Sequence, residues 1–338
     1  MIDKEYPKVN FIGNKRKITD WIFKNIPEDV DSFFDAFSGG CSVSFEAKKR
    51  GYKVISNDIL KINYHIAKAL IENKNTTLSE EDVNTIFSGK PFKGFMYKNY
   101  SKVFYFPKEC KRLDRYRENV KKLKSPYKRS LALALLRRSM IRKMPYSRFS
   151  LSWDRIKQLR DEEYSYRKYK RRRAYHNETF KKHFLANLED YNEAVFDNKK
   201  KNKAYNKDIF KLIPNVDADL VYLDPPYTGS MNNYFRFYSL LDNYVLSKKT
   251  EPFENDFIDK ESALELFKKL FSKLGKYKYW VLSYNNSSYP PKEELKKTLE
   301  EFSKNVEIIG KKHNYKMTGK KNKNKNREYL FIVKNKNA

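Results

Sequence analysis

Four consecutive residues, Asp224-Pro225-Pro226-Tyr227, combine functional groups that could bind an amino group on a flat ring. The apolar run Val221-Tyr222-Leu223 predicts a strand, which would place Asp224 at the carboxyl end as a fixed hydrogen-bond acceptor. The two prolines lack backbone N–H groups and stiffen the turn, so nearby carbonyl groups remain free to accept from a ligand. Asp224 and the Pro225 carbonyl could each accept one N–H of an exocyclic amine, while Tyr227 stacks on the ring. The alternative interpretation is an ordinary proline turn that ends a strand.

A second candidate site is the turn Asp35-Ala36-Phe37-Ser38-Gly39-Gly40, at the end of a strand predicted over residues 31–37. Glycines at such a place let the backbone approach a ligand at the carboxyl edge of a sheet, beside a helix N-terminus. The run lacks the GxGxxG spacing of a dinucleotide-binding fingerprint. A plain tight turn is the alternative.

Two further aspartates follow predicted short segments of the sheet. Asp58 lies 23 residues after Asp35, close to the spacing at which an acid binds the ribose hydroxyls of an adenosine-containing ligand. Asp208, just upstream of the Asp224 strand, could accept a hydrogen bond from the adenine amine of a cofactor. Helix capping is the alternative for both aspartates. Cys41 is interpreted as a small core residue without a chemical role.

The elements around these residues predict an α/β fold. Strand 31–37, a helix that ends near Gly51, a strand at 54–56 and a helix over 60–72 form a βαβ unit, which implies parallel strands. The alternation of strands and helices returns near residue 205. The elements predicted there are strands at 219–223, 277–283, 306–309 and 329–333 and helices at 261–274 and 292–302. The simplest architecture is one α/β sheet split by an insertion.

The predicted insertion is strongly basic. The chain carries a formal net charge of +30, and residues 121–182 contain 21 Lys and Arg against five Asp and Glu. Such an uneven excess favours a polyanionic partner. One clear helix is predicted in this region, over 127–144, and Pro145 would stop it.

Basic and aromatic residues alternate in the insertion, as expected for a surface that neutralises phosphates and stacks bases. The aromatic residues include Tyr146, Phe149 and Trp153. The residues predicted to contact nucleic acid are Arg137, Arg138, Arg142, Lys143, Arg148, Arg171, Arg172, Arg173 and, in the Lys/Asn-rich loop at 320–327, Lys321 and Lys323. A solvated charged face is the alternative.

Other features favour a soluble intracellular protein in a reducing compartment. Two cysteines, Cys41 and Cys110, cannot build a disulfide framework or a zinc site, and the four histidines are scattered. The first ten residues show no apolar signal core, and the longest apolar run, 131–136, is too short to span a bilayer.

The motifs resemble those of one family, the Dam-type N6-adenine DNA methyltransferases of the alpha group. Phe11-Ile12-Gly13-Asn14-Lys15 is similar to the N-terminal cofactor motif of that family, with Phe11, Gly13 and Lys15 in register. The turn from Asp35 to Gly40 is similar to its S-adenosylmethionine loop. The Phe-x-Gly-x-Gly form is altered here to Phe37-Ser38-Gly39-Gly40.

The remaining motifs follow in the order of the same family. Asn57-Asp58 resembles its ribose-binding acid, and Asp208 resembles its adenine-contacting acid. Asp224-Pro225-Pro226-Tyr227 matches its catalytic tetrapeptide without change. The resemblance covers about residues 5–75 and 203–335, whereas 75–200 matches by position and character alone.

The resemblance implies a Rossmann-like S-adenosylmethionine-dependent methyltransferase sheet, mostly parallel with one antiparallel C-terminal strand. Residues 1–75 and 201–338 would form this catalytic domain. Residues 76–200 would be an inserted, mainly helical DNA-recognition domain.

The implied reaction transfers the methyl group of S-adenosylmethionine to N6 of a flipped-out adenine in a specific double-stranded DNA sequence, by in-line attack. Asp224, Pro225, Pro226 and Tyr227 would be catalytic, and Asp224 would also contact the cofactor. No metal is expected, because the sulfonium sulfur is itself the leaving group. We expect a cytoplasmic monomer of bacterial or phage origin, with a restriction endonuclease as partner if it belongs to a restriction–modification system.

Several other activities would use similar residues. A methyltransferase acting on cytosine N4 or on RNA would need the same arrangement of hydrogen-bond acceptors. The first residue of the tetrapeptide distinguishes related families: Asp favours adenine as the target, Ser is commoner where the target is cytosine, and Asn would suggest a glutamine side chain of a protein. A dinucleotide-dependent oxidoreductase would fit the glycine turn and Asp58, but the missing GxGxxG and the charge of +30 argue against it. A catalytically silent DNA-binding protein is disfavoured by the intact tetrapeptide.

Overall fold

The structure is a computed structural model that describes residues 2–147, 149–226, 234–251, 257, 259–313 and 326–335. The strands of the described residues are Ser32–Asp35 (β1), Lys53–Asn57 (β2), Lys203–Tyr205 (β3), Leu220–Leu223 (β4), Tyr279–Asn285 (β5), Val306–Lys312 (β6) and Arg327–Lys334 (β7). They form one sheet in the order β3-β2-β1-β4-β5-β7-β6. Strand β7 is antiparallel to both of its neighbours, and the other neighbouring pairs are parallel. The predicted α/β sheet with one reversed C-terminal strand is confirmed.

The helices fall into three groups along the chain. Those before the insertion are Thr19–Lys24 (α1), Ser42–Lys49 (α2) and Lys61–Ala67 (α3), which continues as the π-helix Lys68–Glu72. Those within residues 76–200 are Glu80–Phe87 (α4), Phe95–Tyr100 (α5), Pro107–Val120 (α6), Pro126–Lys143 (α7), Trp153–Arg160 (α8), Glu162–Tyr169 (α9) and Phe180–Glu193 (α10). The last are Ile209–Leu212 (α11), Tyr234–Leu246 (α12), Ala263–Phe271 (α13) and Lys292–Glu300 (α14).

Helix α7 illustrates how local sequence sets these bounds. Pro126 occupies the first turn, where no N–H is needed, and the Ser125 hydroxyl accepts from the Tyr127 N–H at 3.2 Å. Pro145 follows the last helical residue and cannot continue the helix. The observed helix starts and ends one residue before the predicted range of 127–144. None of the described helices is both long and apolar enough to cross a bilayer.

The sheet is buried on both faces by alternating residues. On β1, Phe33 packs into one hydrophobic cluster and Phe34 into the other, and Tyr222 and Val221 of β4 divide in the same way. This period of two is the expected pattern of strands covered on both sides. Helices α13 and α14 cover the Phe34 face, whereas α7 and α10 contribute to the cluster that contains Phe33. Part of the basic segment 76–200 therefore shares a core with the sheet.

Candidate active site

Asp224 lies at the carboxyl end of β4, a central strand between β1 and β5. All four residues of β4 are buried, so the strand fixes the position of the carboxylate that follows it. Pro225 is buried and Pro226 is half-buried. Tyr227, the fourth residue of the predicted tetrapeptide, lies outside the described residues. The Asp224 side chain retains 19% of its exposure, so part of the carboxylate can be reached from outside.

The predicted cofactor residue Lys15 contacts Asp224 directly. Its Nζ lies 2.9 Å from Asp224 Oδ1 and 3.1 Å from Glu328 Oε1. Burial raises the pKa of Asp224 to about 6, with Lys15 lowering it and Glu328 raising it. The N-terminal motif and the catalytic motif thus meet in one buried ion cluster.

The glycine turn after β1 passes beneath the Phe11 ring. Gly39 has φ of +50°, and a Cβ there would lie 2.7 Å from Phe11 Cε1. A Cβ on Gly40 would lie 2.9 Å from Phe11 Cβ, so both positions need glycine for this close approach. Ser38 donates its N–H to the Asn57 carbonyl at 2.8 Å, which joins the turn to the end of β2. The N-terminal motif therefore covers the predicted cofactor loop.

Gly13 and Phe37 are the remaining described residues of the two predicted cofactor motifs. Gly13 has φ of +81°, in the left-handed region that favours glycine. Phe37 packs edge-on against Phe257, with ring centroids 5.8 Å apart.

Asp58 connects the glycine turn to the start of α3. Its Oδ2 accepts from the Gly39 N–H and its Oδ1 from the Leu60 N–H, both at 2.8 Å. Burial raises its pKa to about 6, although these hydrogen bonds favour the charged form. Each carboxylate oxygen has a second lone pair, so ribose hydroxyls could still be accepted.

Asp35 has an unsatisfied oxygen beside the same turn. Its Oδ2 accepts from the Ser44 hydroxyl at 2.6 Å, while its Oδ1 is buried and has no hydrogen-bond partner among the described residues. Burial is the main cause that raises the pKa of Asp35 to about 7, with smaller contributions from the charges of Asp224 and Asp58. A buried acceptor of this kind fits a positively charged ligand group.

Asp208 caps α11. Its Oδ1 accepts from the Lys211 N–H at 3.2 Å, and its side chain is exposed. The neighbouring backbone of Lys207 is tied to the Asn57 side chain through two hydrogen bonds, at 3.0 and 3.1 Å. Asp208 thus lies beside the end of β2, while its contact with an adenine remains a prediction.

Three residues predicted to bind nucleic acid are buried, which corrects their assignment. Arg137 is 1% exposed and donates to the carbonyl groups of Val9 and Asn10. Arg138 is 6% exposed, and its Nε and Nη1 have no partner among the described residues. An interior guanidinium cannot contact a phosphate, so the charge of α7 is largely internal.

Lys143 is also an interior residue. Its Nζ lies 3.0 Å from Glu109 Oε1, and Arg160 Nη2 lies 2.7 Å from the same oxygen. Burial opposes ionisation of Glu109, but Arg160 and Lys143 outweigh it and lower the pKa to about 2. Lys143 therefore stabilises the insertion rather than facing a polyanion.

The other predicted basic residues differ in placement. Arg142 is half-buried, with its guanidinium 3.9 Å from the centre of the Tyr175 ring. Arg171 and Arg172 are exposed, and Arg172 pairs with Glu163. Arg148, Lys321 and Lys323 lie outside the described residues.

Arg173, one of the basic residues predicted to contact nucleic acid, belongs to a half-buried cluster in which Tyr146 is exposed. Its guanidinium lies 5.5 Å from the Tyr146 ring centre and 4.7 Å from that of Tyr169. Arg155 donates to the hydroxyls of Tyr164 and Tyr169 at 3.0 and 2.8 Å. We call Tyr146, Arg155, Tyr164, Tyr169 and Arg173 the Arg–Tyr surface.

Sequence reasoning also missed Glu328 and Tyr238 in the catalytic region. Glu328 is fully buried, and it precedes the apolar run 329–333 without any motif of its own. Tyr238 contacts Phe11 although the two residues are 227 positions apart. No spacing signal marks such long-range contacts. Among the described residues, no cluster of three or more His, Cys, Asp or Glu could bind a metal ion.

The seven-stranded sheet with its reversed seventh strand is the fold of an S-adenosylmethionine-dependent methyltransferase. The Asp-Pro-Pro run and the glycine turn follow two neighbouring strands of this sheet, β4 and β1. The chain belongs to the D12 class of N6 adenine-specific DNA methyltransferases, whose family model matches residues 11–294.

Individual relatives agree with this family. The type II methyltransferase M2.HphI of Haemophilus parahaemolyticus is 58% identical over 335 residues, which cover 99% of this chain and 100% of the relative. The modification methylase StsI of Streptococcus sanguinis is 29% identical over 97% of this chain but only 52% of its own length. The type II methyltransferase M.CviAII of Paramecium bursaria Chlorella virus 1 is 24% identical, over 96% of this chain and 98% of its own length.

The family assignment decides between the activities considered from the sequence. The protein is an adenine-specific DNA methyltransferase. Cytosine N4, RNA and dinucleotide-dependent redox activities are not favoured, and neither is a catalytically silent DNA-binding protein.

Proposed function

We propose that the chain methylates adenine N6 within a specific sequence of double-stranded DNA and serves as a modification enzyme of a restriction–modification system. The main support for Asp224 as the catalytic residue is its position at the end of β4. Its Oδ1 contacts Lys15, and part of its carboxylate remains exposed. The relative M2.HphI bears the name of a type II methyltransferase and matches over its whole length. That name supports the restriction–modification setting.

The chemistry follows from where hydrogen-bond acceptors lie. Asp224 and the Pro225 carbonyl each accept one N–H of the adenine amine, which localises the nitrogen lone pair that the ring otherwise delocalises. S-adenosylmethionine, when bound, supplies a sulfonium methyl group for in-line attack: the N–C bond forms, the S–C bond breaks and its electron pair stays on sulfur. Asp224 then accepts the proton that the nitrogen loses. Positioning and preorganised acceptors provide most of the catalysis.

The turn around Asp35 and Asp58 fits a cationic nucleoside cofactor. The unpartnered Asp35 Oδ1 offers a buried acceptor, and the Asp58 carboxylate has spare lone pairs for hydroxyl groups. Phe11 lies on Gly39 and Gly40 and would bring an apolar face to the same place. Asp208 would accept from the adenine amine of the cofactor.

Residues 76–200 are proposed as the DNA-recognition part of the chain. The Arg–Tyr surface supplies cationic and aromatic groups that are half-buried or exposed, and Arg142, Arg171 and Arg172 add further basic side chains in the same segment. Arginine can bind phosphates, and tyrosine rings can stack on bases or fill a gap left by an extruded one. The target nitrogen is inaccessible in a paired duplex, so the base must leave the stack at a cost of a few kcal/mol.

A tritiated methyl-transfer assay tests this function. Asp224→Ala should reduce transfer to duplex DNA by about 10²-fold or more, because the acceptor and proton base are lost. Cofactor binding, measured by calorimetry, should remain largely intact. Asp217→Ala is the matched control, since Asp217 is 97% exposed and pairs with Lys276 on the surface. Retained turnover in Asp224→Ala would exclude this mechanism, and preferential labelling of RNA or protein would exclude the substrate.

A further inference from the structure

The ion cluster at the active site contains one cation between two carboxylates. Lys15 is 3% exposed, Glu328 is fully buried, and Asp224 is the only member of the three with appreciable exposure, at 19%. Lys15 Nζ lies at nearly equal distances from Asp224 Oδ1 and Glu328 Oε1, 2.9 and 3.1 Å. The ammonium is therefore shared between the catalytic carboxylate and a second one behind it.

Glu328 is fixed by the reversed strand. It is the second residue of β7 and pairs with Asn285 of β5, two residues beyond Ser283. The Ser283 hydroxyl donates to Glu328 Oε1 at 2.7 Å. This is the same oxygen that faces Lys15, so a hydroxyl and an ammonium compete for one acceptor.

We propose that Glu328 is a positioning residue for methyl transfer, which draws the Lys15 ammonium partly away from Asp224 and keeps Asp224 a strong acceptor. The inference rests on the proposed role of Asp224. Glu328 lies outside the Asp-Pro-Pro-Tyr motif, on a strand more than 100 residues after Asp224 in the sequence.

The reason lies in how charge is distributed in a poorly solvated site. A carboxylate paired with one ammonium alone is largely neutralised and becomes a weak acceptor, because ion-pair energies rise as water is excluded. Because Lys15 also pairs with Glu328, it neutralises Asp224 only in part, and the three side chains together keep a net negative charge. When Asp224 accepts the proton from the adenine amine, Lys15 stays paired with Glu328. A buried ammonium is thus never left without a counter-charge, which would be costly.

Three other titratable groups interact with members of the cluster. Burial raises the pKa of Tyr222 well above its ordinary value, and burial lowers the pKa of His313, so both are uncharged. Asp35, whose pKa burial raises to about 7, is the remaining acid that interacts with Asp224. Burial is the main influence on the pKa of Asp224, and among the charged groups of the described residues Lys15 and Glu328 have the largest effects.

The test is the pH dependence of single-turnover methyl transfer, with saturating cofactor and duplex DNA. In Glu328→Gln, Lys15 pairs more completely with Asp224, so the acidic limb of the profile should move to lower pH by about half a unit or more. The plateau rate should fall by up to about 3-fold for each half unit of that shift, because the acceptor is weaker. Glu307→Gln, on the exposed face of neighbouring β6, is the matched control and should leave both quantities unchanged.

Ser283→Ala gives the opposite perturbation. Removing the hydroxyl frees Glu328 Oε1 to attract Lys15 more strongly, so the acidic limb should move to higher pH. A role of Glu328 in packing alone would not produce shifts of opposite sign in the two variants. If Glu328→Gln does not fold, Ser283→Ala alone still tests whether Glu328 positions the Lys15 ammonium.

The outcomes separate this inference from the proposed function. An unchanged profile in Ser283→Ala, or shifts of the same sign in both variants, overturns the role of Glu328. That result leaves the function intact as long as Asp224→Ala is inactive. If Asp224→Ala remains active, the function itself fails, whatever the profiles of the other variants show.

Discussion

The Phe11 ring lies parallel to the Tyr238 ring, with centroids 5.0 Å apart and planes at 10°. The Tyr238 hydroxyl also accepts from the Ile12 N–H at 2.9 Å, so α12 positions both a ring and the backbone of the N-terminal motif. Arg137 of α7 lies 5.7 Å from the same Tyr238 ring centre and donates to the carbonyl groups of Val9 and Asn10. Two helices distant in sequence thus hold Phe11 on the glycine turn.

A methyl group added at Gly39 should separate Phe11 from this turn. Gly39→Ala places a Cβ 2.7 Å from the Phe11 ring, in a backbone of φ +50° that alanine disfavours. We expect cofactor affinity to fall by roughly 10-fold or more, because a loss of about 1.4 kcal/mol of binding free energy raises the dissociation constant tenfold. Isothermal titration with S-adenosylmethionine measures this loss.

Gly51→Ala separates backbone strain from the steric clash. Gly51 has φ of +93°, but a Cβ there meets no atom within 4 Å. It should lower the melting temperature without changing cofactor affinity. Equal losses of affinity in the two variants would show that Phe11 has no part in the cofactor site.

The sheet and the motif positions could be predicted because they depend on local patterns. Short apolar runs marked β1 and β4, and the turn residues after them identified the carboxyl edge. Asp35, Asp58 and Asp224 meet at that edge because parallel strands end there together. The predicted helix at 127–144 was accurate because a proline stands near each end.

The partners of charged side chains could not be predicted in the same way. Arg137, Arg138 and Lys143 have the composition of a nucleic-acid surface, yet α7 packs against α3 and α10 and turns them inward. Whether a basic residue faces water or a buried carbonyl depends on tertiary packing, which leaves no mark in the local sequence. Glu328 was missed for the same reason, since its significance depends on Lys15 more than 300 residues away.

Cofactor binding should release protons. Burial raises the pKa of Asp35 to about 7 and those of Asp58 and Asp224 to about 6, so the ligand-free site is partly protonated near pH 6. A cationic ligand favours the ionised carboxylates and lowers their pKa, which expels protons. Affinity for S-adenosylmethionine should therefore rise from about pH 5.5 to about 7.5. Calorimetry in buffers of different ionisation enthalpy counts the released protons.

S-adenosylhomocysteine provides the control for the sulfonium charge. It lacks that charge, so its binding should release fewer protons and depend less on pH. Asp35→Asn should reduce the release further, because the carboxyl group with the highest pKa of the three is removed. Proton uptake on binding S-adenosylmethionine would contradict the placement of the cation beside these carboxylates.

Arg173 and Arg137 should respond oppositely to the same substitution. Arg173 lies on the Arg–Tyr surface, so Arg173→Gln should weaken DNA binding with little change in melting temperature. The magnitude of the slope of log affinity against log salt concentration should fall by about one, as expected for the loss of one phosphate contact. Arg137→Gln removes a buried cation from two carbonyl groups and should cost about 2–3 kcal/mol of folding stability.

Salt titration distinguishes a surface contact from an indirect effect of stability. Wild-type affinity for duplex DNA should fall steeply, by roughly 10³–10⁵ between about 50 and 200 mM salt if six to ten phosphates are contacted. Arg137→Gln should keep this slope wherever it remains folded, because its guanidinium is 1% exposed and neutralises no phosphate. A reduced slope in Arg137→Gln and an unchanged one in Arg173→Gln would place the DNA on a different face of the insertion.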